Sequence, residues 1–318
     1  MRVLITGASG NIGQNAIHEL MKKKHQVRCY IRRSDKNVKF AKSLRKKYGK
    51  RIDFYFGDIR DEKIFSQAVV GQDVVVHLAY IIPPLSERNV DLAEKVNIDG
   101  TNMVLNVLKK LKKKPKLIFT SSVVVYGDTQ WNKPPRKVND KLIAANNYGL
   151  HKIVCEKLIK KSGLKWCIFR VGASMSVSLD QIDPIMFDIP LKTRMEYVHT
   201  KDVGFAIANA VGCGNVWGKV LHLGGGEKCQ LYYGEIIGRA MESIGLGKLP
   251  FKAFGNDPFY TDWMDTKESQ KLLKFQRYTY DDYLHELVQE VGWRKFLIRI
   301  LRPIIRIWLL RKSVYFKK

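Results

Sequence analysis

Tyr148 and Lys152 stand four residues apart in Tyr148-Gly149-Leu150-His151-Lys152. On a helix that spacing puts both side chains on one face. A phenol with a pKa of about 10 is a poor base at neutral pH, but a neighbouring ammonium stabilises the phenolate and brings proton exchange toward working range. In a lysine-rich chain the same spacing also describes an ordinary surface pair, so the position of the pair along the chain has to decide. A second group is Gly7-Ala8-Ser9-Gly10-Asn11-Ile12-Gly13. Between a strand and a helix, such glycines allow a tight turn and close backbone approach to a pyrophosphate, whose charge the helix N-terminus favours. A plain tight turn would explain three glycines equally well.

Bringing these residues together needs alternating strands and helices. Apolar runs at 3–6, 26–31, 52–56, 74–78, 117–120 and 166–171 read as strands, and helical patterns fall between them at 11–23, 36–48, 61–70, 92–111 and 148–162. That rhythm predicts an α/β fold, a Rossmann-like doubly wound parallel sheet. Past 171 the rhythm loosens, and Pro184, Pro190, Pro250 and Pro258 punctuate shorter segments. We therefore expect a nucleotide-binding domain over 1–170, to which 195–225 returns. A smaller C-terminal substrate lobe would comprise 171–194 and 226–292. The second strand closes on Tyr30-Ile31-Arg32-Arg33. Sites of this kind that choose NAD place an acid there, whereas Arg32 suits the 2′-phosphate of NADP; a solvated basic turn is the alternative.

The spacing G-x-x-G-x-x-G at the N-terminus resembles the short-chain dehydrogenase/reductase superfamily, in its extended branch, the NAD-dependent epimerase/dehydratase family. Further motifs follow in family order over roughly residues 1–290. Asp58 and Ile59 resemble the pair that holds the adenine ring. Leu78-Ala79 resembles the strand end beside the cofactor ribose, and Asn97 lies in the segment resembling the helix behind it. Thr120-Ser121-Ser122 matches the strand that carries the catalytic serine, and Tyr148 with Lys152 matches Y-x-x-x-K. Glu196 to Val203 and His222 to Gly226 follow the C-terminal half. The resemblance implies Ser122, Tyr148 and Lys152 as catalytic residues. Ser122 would hold the substrate oxygen while hydride moves to or from a nicotinamide, and Lys152 would also hold the nicotinamide ribose. It implies NADP or NAD bound by Gly7, Ser9, Gly10, Asn11, Ile12, Gly13, Arg32, Asp58, Ile59, Leu78, Ala79, Asn97, Thr120, Tyr148 and Lys152, and no metal. A homodimer is implied too, through a four-helix bundle of 92–111 and 148–162, with Val96, Met103, Val104 and Val107 on one apolar face and Ile153, Val154 and Leu158 on another.

The formal charge of +26 invites an anionic partner, but lysine runs such as Lys22-Lys23-Lys24 and Lys112-Lys113-Lys114 sit where helices should end, where lysine meets the helix dipole. Nucleic acid is not the expected partner; a small-molecule substrate is. Five scattered cysteines without ligand-like spacing predict a reducing compartment and no structural zinc. The first residues enter an apolar run directly, which predicts a cytoplasmic protein, and no run reaches the ~18 apolar residues of a spanning helix. Residues 293–318 hold nine basic residues and no acid. Lys295, Arg299, Arg302 and Arg306 form one stripe, opposite Phe296, Leu297, Ile300, Leu301, Ile304 and Ile307, with Pro303 expected to kink or divide the helix. We expect this tail on an acidic membrane surface at the inner face, and a helix docked on the enzyme or a second subunit is the alternative.

Three functions stand open. The first is hydride transfer at a secondary alcohol or ketone of a sugar-like or small hydroxy/keto compound, which the tail would allow to be lipid-linked. The second is nucleotide-sugar epimerisation through a transient ketone, against which stands the short stretch between Arg170 and Arg194. The third is a non-catalytic nucleotide- or RNA-binding protein. Dehydration is not expected, because Val123-Val124 follow Ser122 where dehydratases of the family carry an acid pair.

Overall fold

The structure, a computed structural model, describes residues 1–177 and 183–316. Positions 178–182 of the expected substrate lobe and 317–318 of the tail lie outside the described residues.

Seven parallel strands form the main sheet: β1 (Arg2–Thr6), β2 (Gln26–Ile31), β3 (Ile52–Phe56), β4 (Val74–His77), β5 (Lys116–Ser122), β6 (Trp166–Val171) and, after the short β7 (Arg194–Glu196), β8 (Lys219–Leu223). Their order is β3-β2-β1-β4-β5-β6-β8. Helices cover both faces, so the central strands are buried on both sides and read as continuous apolar runs such as Val3-Leu4-Ile5. The order reverses between β1 and β4, where Thr6 pairs with His77. Ligands of open parallel sheets bind at that switch point, outside the carboxyl ends of the strands.

The helices are α1 (Asn11–Lys22), α2 (Asp35–Tyr48), α3 (Glu62–Val69), α4 (Leu85–Arg88), α5 (Val90–Glu94), α6 (Gly100–Lys110), α7 (Asn147–Lys160), α8 (Thr200–Gly212), α9 (Tyr233–Ser243), α10 (Lys267–Leu273), α11 (Tyr280–Val291), α12 (Arg294–Ile300) and α13 (Arg302–Leu310). The helix expected over 92–111 is in fact α5 and α6 joined by a π-helical stretch, Lys95–Asp99, which widens the turn around buried Asn97. Val104, Val107 and Ile153 are buried in the chain's own core, so they offer no face to a partner. That corrects the expected dimer surface, which shrinks to half-buried Val96, Met103, Val154 and Leu158.

A second apolar core lies in the C-terminal lobe, where β7 pairs antiparallel with β9 (Gln230–Tyr232) and α9 and α11 pack together. Tyr197, Tyr280 and Tyr283 cluster there with ring centroids 5.3–5.5 Å apart, Tyr280 stacked on Tyr283 and edge-on to Tyr197. The tail docks on this lobe. Leu309 is fully buried, Ile298 and Ile305 pack on the lobe core, and Arg306 donates to the carbonyls of Leu246, Gly247 and Lys248. Ser313 Oγ donates to Ala253 O at 2.6 Å. Pro303 divides the segment at the start of α13, as its missing N–H and fixed φ favour. One face of the tail therefore lies on the enzyme, the arrangement left open as the alternative. No helix among the described residues is long and apolar enough to cross a membrane.

Candidate active site at the carboxyl edge of the sheet

The glycine turn joins β1 to α1. Gly7 has φ +66°, and its N–H donates to Tyr30 O at 3.1 Å. A Cβ on Gly7 would lie 2.8 Å from Ala79 N, and one on Gly13 would lie 2.6 Å from Gly7 O. The first glycine thus admits the end of β4, and the third lets α1 sit on the turn. Gly10 caps α1 without any side-chain bond, so the first-turn amides of Asn11, Ile12 and Gly13 have no side-chain acceptor. These amides and the positive end of the helix dipole suit a pyrophosphate. Ser9 lies half-buried on the turn, its carbonyl accepting from Gln14.

Behind the turn runs a buried polar chain. Thr6 Oγ1 accepts from the N–H groups of Leu78 and Ala79, both at 3.1 Å, and meets His77 Nδ1 at 2.8 Å. His77 Nε2 meets Thr101 Oγ1 at 3.1 Å, and that hydroxyl donates to Asn97 O at 2.5 Å. Burial drives His77 down to about 3, so it is neutral at any working pH. The Asn97 amide accepts from Ile81 N at 2.7 Å and donates to Ile81 O at 2.9 Å. Asn97, named from sequence as a cofactor contact, here holds the backbone that follows β4.

On the adenine side, Asp58 forks with Arg60 at 2.7 and 2.9 Å, and those hydrogen bonds hold its carboxyl below the usual range. Ile59 is buried against Gly100. Arg32 is exposed just beyond β2, and its charge also lowers Asp58.

The structure brings Ser122, Tyr148 and Lys152 together. Ser122 ends β5, which runs two residues past its expected end because it stays in register with β6 through Ser122 and Val171. Its hydroxyl accepts from Val124 N at 3.3 Å and stands beside the Tyr148 phenol, whose ionised form it favours. Lys152 is buried, donates to Thr120 O at 2.6 Å, and lies 3.3 Å from the Tyr80 ring centroid, 4.7 Å from that of Phe119 and 5.5 Å from that of Tyr148. Burial pulls its ammonium down to about 7. Burial also pushes the Tyr148 phenol up to about 12, against the opposing influence of Ser122. Burial thus acts on the two groups in opposite directions, raising the phenol and lowering the ammonium.

Two residues of the site went unnoticed in the sequence. Tyr80 supplies the ring beneath the ammonium and packs edge-on to Tyr148 at 5.9 Å. Glu87 of α4 accepts from the N–H groups of Asn147 and Tyr148 at 3.1 and 3.0 Å, fixing the start of α7 beside the Asn146 cap. Its partners lie 60 residues away in sequence, so no local signal marks it. Arg170 and Arg194 are fully engaged. Arg170 bonds Glu156 twice, Tyr126 OH and Val138 O. Arg194 bonds Asp262, Gln130 O, Thr129 O and Asn132 O. His222 bonds Tyr126 OH at 2.6 Å and His199 caps α8, both structural positions.

A glycine-turned switch point with a serine, a tyrosine and a lysine at its edge defines the short-chain dehydrogenase/reductase class. The profile of the NAD dependent epimerase/dehydratase family matches residues 3–181, and the chain belongs to that family. A D-erythronate dehydrogenase of Cupriavidus necator is 32% identical over 34% of this chain and 33% of its own length. A UDP-glucose 4-epimerase of Dictyostelium discoideum is 30% identical over 64% of this chain and 60% of its own. The chain thus spans about a third and three fifths of the length of these curated relatives. Among solved structures, UDP-glucuronic acid 4-epimerase from Bacillus cereus, in complex with UDP-glucuronic acid and NAD, superposes with TM-score 0.77 at 21% identity, over 92% of this chain and 99% of its own. That likeness is one of fold.

Proposed function

We propose that the protein catalyses reversible hydride transfer at a secondary alcohol or ketone, with Tyr148 as proton donor and acceptor, Ser122 holding the substrate oxygen, and Lys152 serving the cofactor ribose. The observation that carries this is the meeting of Ser122 at the end of β5, Tyr148 on α7 and buried Lys152, 5.5 Å from the Tyr148 ring centroid, at the carboxyl edge of the sheet. The uncapped first turn of α1 and the close approach of Gly7 to Ala79 fit a dinucleotide. When bound, the nicotinamide would supply or take the hydride. In the reducing direction Tyr148 gives its proton to the nascent alkoxide, and a phenol pushed up to about 12 is fully loaded for that step. In the oxidising direction it must first lose that proton, so alcohol oxidation should favour alkaline pH.

A sugar-like or small hydroxy/keto substrate suits the site better than a nucleotide sugar, because both Arg170 and Arg194 spend their donors inside the protein. The epimerase reading rests on relatives such as the Dictyostelium enzyme and on an Escherichia coli O157:H7 relative, N-acetyl-alpha-D-glucosaminyl-diphospho-ditrans,octacis-undecaprenol 4-epimerase, 30% identical over 50% of this chain. NADP is the cofactor Arg32 favours, whereas the neighbour from Bacillus cereus was solved with NAD. The homodimer would use α6 and α7 around exposed Leu150, and sedimentation tests it. Four fully buried free cysteines suit a reducing compartment.

The experiment is a screen of alcohols and ketones for nicotinamide absorbance change with NADP and NAD. Tyr148→Phe should abolish turnover and retain cofactor binding; near-normal turnover would defeat the mechanism. An epimerase would instead convert a nucleotide sugar with no net absorbance change.

A further inference from the structure

Docking the tail on the lobe leaves its other face uncovered. Half of the large hydrophobic side chains exposed among the described residues fall within 293–316. Trp293, Phe296, Ile300, Ile304, Ile307 and Trp308 are each more than half exposed and recur at helical spacing across α12 and α13. Phe251, 72% exposed, stands two residues from Ala253, whose carbonyl anchors Ser313. An apolar ridge of this length is larger than scattered surface hydrophobes account for.

We infer that this ridge is the surface by which the protein lies on an anionic lipid bilayer. The occupant follows from charge. Arg294 and Arg311 are exposed at the two ends of the ridge, Arg299 and Arg302 run along its edge against Gly245 and Gly247 of the lobe, and no acidic residue occurs anywhere in 293–318. A second copy of the chain would bring the same cations against one another, in a protein whose net charge is already +26. A bilayer of anionic lipid neutralises them and takes up the ridge at once. The arrangement of the helices supports the same occupant. Leu309 and Arg306 secure the two tail helices to the lobe, so the ridge is held outward on a fixed platform and loses little conformational freedom on binding. Trp293 and Trp308 near its two ends are residues that settle at the headgroup level. The tail would hold the C-terminal lobe, and with it the enzyme, at the membrane surface. This inference does not depend on the reaction proposed above.

The test is co-sedimentation of the full-length protein with vesicles of phosphatidylcholine alone and of phosphatidylcholine with phosphatidylglycerol, without cofactor or substrate. Binding should require the anionic lipid, weaken with salt, and fall at least tenfold in an Ile300→Glu/Ile304→Glu variant. Both positions are exposed, and unchanged circular dichroism and cofactor binding would show that the variant is folded. Failure to bind anionic vesicles, or equal binding by the variant, overturns the proposal. So does a dimer in sedimentation that the same variant abolishes, since the ridge would then be covered by a second copy.

Discussion

Replacing Gly7 by alanine tests whether the close approach of β4 to the glycine turn is what shapes the cofactor crevice. Two terms add. A residue with a side chain at φ +66° pays about 1–2 kcal/mol for the left-handed backbone. The new Cβ would also stand 2.8 Å from Ala79 N and 2.9 Å from Ala79 Cα, backbone atoms that Thr6 holds by its hydroxyl, so an overpacking cost of about 1–3 kcal/mol follows. The stiffer unfolded chain offsets about 0.4–1 kcal/mol. Gly163→Ala separates the two terms, because Gly163 has φ +72° and nothing within 4 Å of its added Cβ. It should lose only about 1 kcal/mol. Gly7→Ala should lose roughly 2–4 kcal/mol, and its cofactor affinity should drop at least tenfold because Leu78 and Ala79 must move. Gly13→Ala carries no left-handed penalty but meets Gly7 O at 2.6 Å, and should fall between the two. Denaturant unfolding of the three variants reads the first quantity, and titration with NADP and NAD reads the second. If Gly7→Ala costs no more than Gly163→Ala, or binds cofactor as the wild type does, the packing argument is wrong.

Lys152 has a folded-state pKa lowered to about 7, so between pH 7 and its unfolded value of about 10.4 the unfolded chain holds the extra proton. Its contribution therefore makes stability rise with pH across that window, and Lys152→Met should flatten the rise; identical pH dependences would refute the burial argument. Arg32→Asp should move the ratio of NADP to NAD affinity toward NAD by one to two orders of magnitude, about 1.4–2.8 kcal/mol, and an unchanged ratio would show Arg32 to be a solvated turn residue. The Glu156–Arg170 pair is nearly inaccessible to solvent, at 1% and 2% exposure. Glu156→Leu should cost about 3–5 kcal/mol by stranding the guanidinium, and adding Arg170→Met should restore much of it. Strict additivity in that double-mutant cycle would deny the coupling.

Strands β2, β3 and β6 fall where their β-branched, aromatic and other apolar residues place them, since the single charged residue in each, Arg28, Asp53 and Arg170, does not break the pattern. The pairing of Tyr148 with Lys152 was legible for a similar reason: helical spacing alone sets it. The π-helical stretch at Lys95–Asp99 was not, because Val96, Asn97 and Ile98 fit an ordinary helix equally well and only the bonds of Asn97 to Ile81 select the wider turn. The proton affinities of the catalytic pair were also illegible. They depend on burial, to which the Tyr80 and Phe119 rings against Lys152 contribute from the segment after β4 and from β5. In the tail, periodicity revealed two faces but could not say which one meets protein; carbonyls of 246–248, waiting for a donor, draw Arg306 inward.

The buried chain behind the glycine turn has only one possible direction. Thr6 Oγ1 already accepts from two backbone amides, so its single proton goes to His77 Nδ1. The ring must then carry its hydrogen on Nε2, give it to Thr101, and leave Thr101 to donate to Asn97 O. Every hydroxyl and ring nitrogen in the row is committed, and backbone amides at its head dictate the histidine tautomer at its middle. The row joins β1, β4 and the π-helical stretch into one frame whose protonation does not change between pH 4 and 10, since burial holds His77 at about 3. Beside it Lys152 changes charge near pH 7. Acidity thus alters the charge beside Thr120 and the Tyr80 ring and leaves unmoved the scaffold against which that charge is placed.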